Sequence, residues 1–142
     1  MSCRSAGTSA KVARILETVP PTAQDLLNDD GVALKGATVV LLGATYKPNI
    51  ADQRESPAVP VAKHLAEKGA EVTFHDPHVE TWHTNGSSLQ RVPDLDKALA
   101  EADLVMLLQH HREYDVDHLV GTAKRFFDTR GVAADGPTVA KL

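Results

Sequence analysis

The chain has 142 residues, the size of one domain, and its 42% apolar and 24% charged content is that of an ordinary folded protein. A formal charge of −4 argues against nonspecific nucleic-acid binding, which needs a basic face. No apolar run approaches ~18 residues, so no membrane span is expected, and the chain starts without a hydrophobic signal core.

Residues 1–34 read as an N-terminal extension, partly disordered, with one or two short helices. Val12, Ile15, Leu16 and Val19 recur at helical spacing. Pro20-Pro21 ends that segment. Thr22 with Asp25 then resembles a capped start for a short helix through Leu26 and Leu27, closing near Gly31. The single cysteine, Cys3, cannot form an internal disulfide. It sits in a small-residue start, outside any motif, and no catalytic role is read for it.

Thr38 to Leu42 is a β-branched and aliphatic run ending at Gly43, the pattern of a buried parallel strand. Ser56-Pro57 reads as a helix start, because Ser56 can cap free N–H groups and Pro57 suits the first turn. The helix continues through Val59, Val61, Ala62, Leu65 and Ala66 to a stop at Gly69. The loop between, Ala44 to Glu55, is long where such loops usually hold two to about six residues. Ligands of open α/β sheets bind beyond the carboxyl ends of the strands, so this loop is a candidate site. Lys47 and Arg54 are donors of the kind a phosphate needs, or ordinary surface cations. There is no GxGxxG and no GxxxxGK[ST]. An anion site here must therefore use side chains and a helix start rather than a glycine cradle.

Val72 to His75 reads as a second strand, ended by Asp76-Pro77. Asp76 is read as holding that turn through its side chain, in preference to binding a ribose. His78, Glu80, Trp82 and His83 follow in an irregular stretch, Asn85 to Ser88 in a turn, and Leu89 to Val92 in a possible short strand. Asp94 caps a helix with Leu95, Ala98 and Leu99 on one face. Leu104 to Leu108 is an all-apolar buried strand, ending on Gln109-His110-His111-Arg112-Glu113-Tyr114. Asp115 or Asp117 caps a last helix through Leu119 and Val120. Arg125 to Phe127 forms a last short strand, and residues 133–142 a loose tail. The seven histidines lack zinc-enzyme spacing and a cysteine partner, so no metal site is expected. The fold expected is α/β: a three-layer Rossmann-like domain with a mostly parallel sheet of about five strands.

The stretch GATYKPNIADQRESPA, Gly43 to Ala58, resembles the C-terminal, UDP-binding domain of the UDP-glucose/GDP-mannose dehydrogenase family. That family's loop reads roughly G-x-x-[FY]-K-P/K-[ND]-x-x-D-x-R-E-S, and its second strand closes on [YH]-D-P. The resemblance covers about residues 35–132, taken as the UDP-binding domain. It implies a part of an NAD-dependent, cytoplasmic UDP-sugar 6-dehydrogenase of polysaccharide biosynthesis, oxidising a UDP-sugar to a UDP-uronic acid. It implies Tyr46, Lys47 and Arg130 as substrate-binding residues, the last from the family's D-x-R. It also implies Arg54 on the cofactor side and His110 as a pocket residue. After the third long strand, glucose-type members read T-x-W-x-x-[FY] and N-acetylmannosamine-type members D-H-x-x-[FY]. His110 followed by Tyr114 is more similar to the second, with one extra residue and Gln109 for the acid. A long helix carries much of the family's dimer contact; a homodimer is implied, though here the matching region is short and broken by prolines.

The family's NAD-fingerprint domain and catalytic-cysteine domain have no counterpart in this sequence, and no catalytic residue is assigned. NAD belongs to the complete enzyme and is not expected to be held by this chain alone. Three readings follow: a dehydrogenase component working with a separate catalytic chain, a stand-alone UDP or UDP-sugar binding module, or a non-catalytic structural remnant.

Overall fold

The computed structural model describes residues 21–44, 58–84 and 87–141. The expected helix over 11–19, the Ser56-Pro57 start, Cys3 and the Asn85-Gly86 pair lie outside the described residues.

Residues 21–29 form helix α1. Ala23, Leu26 and Leu27 make its buried stripe, the i, i+3, i+4 spacing of one helix face. Pro21 is already helical, so Thr22 sits inside the helix and is not its cap. The helix closes at Gly31, whose φ is 75°. There the Gly31 N–H donates to Asn28 O at 3.0 Å and the Val32 N–H to Leu27 O at 2.8 Å. Those two bonds satisfy carbonyls that the helix end would leave open.

Strand β1 (Thr38–Leu42) leads to helix α2 (Ala58–Glu67), which buries Ala58, Val61, Ala62 and Leu65. It ends as α1 does, at Gly69 with φ 90° and an Ala70 N–H to Leu65 O bond of 3.1 Å. Strand β2 (Glu71–His75) follows. Next comes a hairpin of β3 (Thr81–Thr84) and β4 (Ser87–Gln90), paired antiparallel with Trp82 opposite Leu89. This corrects the irregular stretch expected over 78–83. Trp82 is fully buried and packs on Phe74 with ring centroids 5.4 Å apart, so the hairpin is fastened to the core by one large side chain.

Helix α3 (Leu95–Glu101) starts at Asp94, whose carboxylate accepts from the Lys97 N–H at 3.2 Å. Strand β5 (Leu104–Leu107) is buried throughout. Helix α4 (Val116–Thr122) is capped by Asp115, not Asp117, through the His118 N–H at 3.3 Å. Strand β6 (Phe126–Asp128) and a further strand β7 (Val139–Lys141) complete the sheet. The expected loose tail therefore carries an edge strand, paired parallel to β6.

The sheet order is β2-β1-β5-β6-β7, with every neighbouring pair parallel. Its two faces alternate along each strand, as a period of two requires. Val39, Leu41, Leu104, Met106 and Phe127 face the cluster with α1, α2 and Trp82. Val40, Leu42, Val105, Leu107 and Phe126 join the cluster with Leu99 of α3 and Leu119 of α4. Three layers result, as expected. From β1 the chain continues to β2 on one side, while β5 lies on the other. The carboxyl ends of β1 and β5 thus flank a topological switch point, where α/β sheets bind ligands.

Candidate functional site at the carboxyl edge of the sheet

Asp76 follows β2 and is completely buried. Its Oδ1 accepts the His78 N–H at 2.8 Å, which holds the turn through the side chain as the sequence suggested. Its Oδ2 reaches further. It accepts the Ala44 N–H at 2.8 Å and faces His111 Nε2 at 2.8 Å. One carboxylate thereby ties together the segments that leave β1, β2 and β5. Burial raises its pKa, but the His111 ring and the Ala44 and His78 N–H groups outweigh that, and the carboxyl lies below its ordinary value.

Around this pair, Tyr114 is nearly buried. Its hydroxyl donates to the His75 carbonyl at 2.8 Å and lies 3.0 Å from His75 Nδ1. Burial, then the Asp76 and Glu113 charges, push the Tyr114 pKa up, so it remains a neutral phenol. Burial and the Arg91 charge hold His75 below the ordinary imidazole value, against the pull of Asp76. His78 Nε2 meets Glu113 at 3.1 Å, and its ring packs edge-on against His111 with centroids 4.9 Å apart. Among the described residues no group of three His, Cys, Asp or Glu side chains could hold a metal ion.

Gly43 closes β1 with φ 92°. A Cβ there would lie 2.6 Å from the Gln109 carbonyl oxygen and 2.7 Å from its N and Cβ. The two strand ends are therefore in backbone contact, with the Gln109 N–H donating to Leu42 O at 3.2 Å. Gln109 occupies the space that a Cβ at Gly43 would need, so the close packing of the two strand ends accounts for a glycine here.

The last residue of β6 is the second buried carboxylate, Asp128. Its Oδ1 accepts the Arg130 and Gly131 N–H groups, both at 2.8 Å, and its Oδ2 the Ala133 N–H at 2.7 Å. Thr129 Oγ1 donates to Leu107 O at 2.6 Å, fastening the turn to β5. Arg130 is exposed at the tip of this turn. Arg91 bonds the carbonyls of Asp76 and Pro77, and Arg125 pairs with Asp30 at 2.5 Å. The Arg130 guanidinium, by contrast, has no such partner among the described residues. It is a cation on a hydrogen-bonded turn at the sheet edge where α/β folds generally bind ligands.

Of the residues expected at the site, Arg130 and His110 lie at this carboxyl edge. His110 is half-buried, and its N–H donates to the Gln109 side chain at 3.1 Å. Tyr46, Lys47 and Arg54 lie outside the described residues. Sequence reasoning did not single out His111 or Asp128. An Asp at a strand end followed by a polar, glycine-containing turn was the available signal for Asp128. Nothing local distinguishes His111 from His110.

Residues 40–135 match the UDP-glucose/GDP-mannose dehydrogenase family, UDP binding domain. A UDP-glucose 6-dehydrogenase of Rhizobium meliloti is 36% identical over 98 residues, covering 66% of this chain and 22% of that protein. A UDP-N-acetyl-D-mannosamine dehydrogenase of Methanococcus maripaludis is 32% identical over 102 residues, with the same 66% and 22% coverage. The UDP-D-ManNAc dehydrogenase structure from Pyrococcus horikoshii superposes with a TM-score of 0.73 over 91% of this chain and 31% of that one. At 19% identity that likeness speaks for the fold alone. This chain thus spans about a fifth of the length of the curated relatives it matches. Its sheet order, the motif after β1 and the D-x-R that starts on the last residue of β6 all lie within or reach into the matched region, and the chain belongs to the UDP-glucose/GDP-mannose dehydrogenase family, through that family's UDP-binding domain.

Proposed function

We propose that this chain binds the UDP part of a UDP-sugar for a nucleotide-sugar 6-dehydrogenase whose NAD and catalytic cysteine are supplied by other residues than these. The observation that carries the reading is the Arg130 guanidinium, without a partner among the described residues, on the Asp128 turn at the carboxyl edge of a UDP-binding domain. A guanidinium suits a diphosphate because its fork of donors can bind two oxygens at once. Lys47 and Tyr46 are assigned to the same nucleotide, Arg54 to the cofactor side of a domain or subunit boundary, and His110 to the pocket near the sugar. The amino-sugar branch is the preferred substrate class, on the spacing of His110 and Tyr114. A separate catalytic chain and a second copy of this chain are the proposed protein partners.

Calorimetric titration of the purified chain with UDP, UDP-glucose and a UDP-N-acetylhexosamine tests this. Saturable UDP binding that weakens roughly 10- to 100-fold in Arg130→Ala is expected, the value of a charge-assisted contact. Absence of binding up to millimolar UDP would refute the reading.

A further inference from the structure

We infer that Asp128 is a positioning residue for nucleotide binding, acting through Arg130. The inference deepens the proposed function and rests on it. Asp128 is fully buried, yet none of its three hydrogen bonds goes to a cation. All three go to backbone N–H groups of the turn it begins, at Arg130, Gly131 and Ala133. A buried carboxylate used only on backbone donors fixes a backbone path. The path it fixes includes Gly131 in the left-handed region, with φ 73°. Thr129 holds the other side of the turn to the end of β5, and Ala133 is buried beneath it. What the turn presents to solvent is the Arg130 side chain, with Val132 beside it.

A free arginine on a flexible loop would lose rotational and backbone freedom on binding an anion. Here the backbone part of that cost has been met during folding, and only the side chain remains to be ordered. The substitution Asp128→Asn replaces one acceptor oxygen with an amino group, so one turn N–H faces a donor. The turn loosens while the side-chain volume is kept. A second substitution, Gly131→Ala, strains the same path through its positive φ alone, since a Cβ there meets nothing within 4 Å.

The test is a double-mutant cycle read by NMR titration with UDP, which reaches millimolar affinities. Asp128→Asn and Gly131→Ala are each expected to weaken UDP binding by roughly 5- to 20-fold in the native background, with little further loss in the Arg130→Ala background, as coupling between neighbours requires. Dispersed native amide spectra of each variant establish that it folds; if Asp128→Asn does not, Gly131→Ala carries the cycle. Native UDP affinity in a folded variant would overturn the inference while leaving the nucleotide reading intact. An equal loss with and without Arg130 would also overturn it, because the carboxylate would then not act through that side chain. Failure of the unmodified chain to bind UDP would sink both together.

Discussion

The Asp76 carboxylate and the His111 ring meet at 2.8 Å with neither side chain exposed. The same carboxylate oxygen takes the Ala44 N–H at 2.8 Å. The polar contact between the β2 and β5 ends thus also sets where the chain leaves β1. Buried polar groups are costly when unpaired, so each member of this set depends on the others.

Removing one acceptor from it is expected to be expensive. Asp76→Asn should lower the unfolding free energy by about 2–4 kcal/mol, the range for breaking a buried hydrogen-bonded pair. Urea denaturation reads the loss. Amide exchange at Ala44 and His78 should accelerate selectively, and unchanged protection there would refute the three-way tie.

The same carboxylate gives the protein an acid limb. Its folded pKa is depressed, because its N–H donors outweigh its burial. The associated stability is present above the unfolded aspartate value and disappears as pH falls through the folded one. Stability should therefore decline in the acid range below the ordinary aspartate value, and Asp76→Asn should flatten that decline. Denaturation midpoints measured across the acid range check this.

Two histidines are expected to titrate in opposite directions from the ordinary value. His75 is held down by burial and the Arg91 charge. His118 is raised by its bond to Asp96 Oδ1 at 2.7 Å. The neutral form of His75 stabilises the fold above its unfolded value, and that contribution is lost as pH falls through the folded one. For His118 the contribution is present below the unfolded value and lost as pH rises through the folded one. Imidazole carbon–proton shifts followed by NMR should show His118 protonating first as pH is lowered and His75 after it.

Gly43→Ala is expected to damage stability and ligand binding together. Its φ of 92° disfavours any side chain, and the added Cβ meets the Gln109 backbone at 2.6 Å. Backbone cannot move aside as a flexible side chain can. A loss above about 3 kcal/mol follows from strain and overlap combined. A near-native midpoint in thermal unfolding would contradict the close approach of β1 and β5.

Trp82 separates packing from hydrogen bonding. Its ring is fully buried against Phe74, while its Nε1 has no hydrogen-bond partner among the described residues. Trp82→Ala should cost about 3–5 kcal/mol. Trp82→Phe should cost far less, since it keeps most of the ring and removes an unsatisfied donor. Equal losses in the two variants would point to a hidden acceptor for the indole.

The elements that the sequence disclosed are those with a local cause. Leu104 to Leu108 read as a buried strand because every residue is apolar, and the structure has it over Leu104–Leu107; α3 was placed by the cap at Asp94. Gly69 marked the end of α2 because a left-handed residue is needed there. The hairpin was harder. Thr81 to Thr84 contains one large apolar residue, and only pairing with Ser87 to Gln90 makes it a strand. The edge strand Val139–Lys141 is three residues long and owes its conformation to β6 beside it.

The site divides along the same line. The motif beginning at Gly43 and the D-x-R ending at Arg130 are contiguous strings, so family and candidate ligand class were legible before any fold was known. The buried pair Asp76 and His111 was not, because its members lie 35 residues apart and meet only when β2 and β5 flank β1. Nor could the sequence choose His111 over His110 for that pair. Adjacent side chains differ in direction, and only the packed sheet edge decides which one turns inward to a carboxylate that must be satisfied.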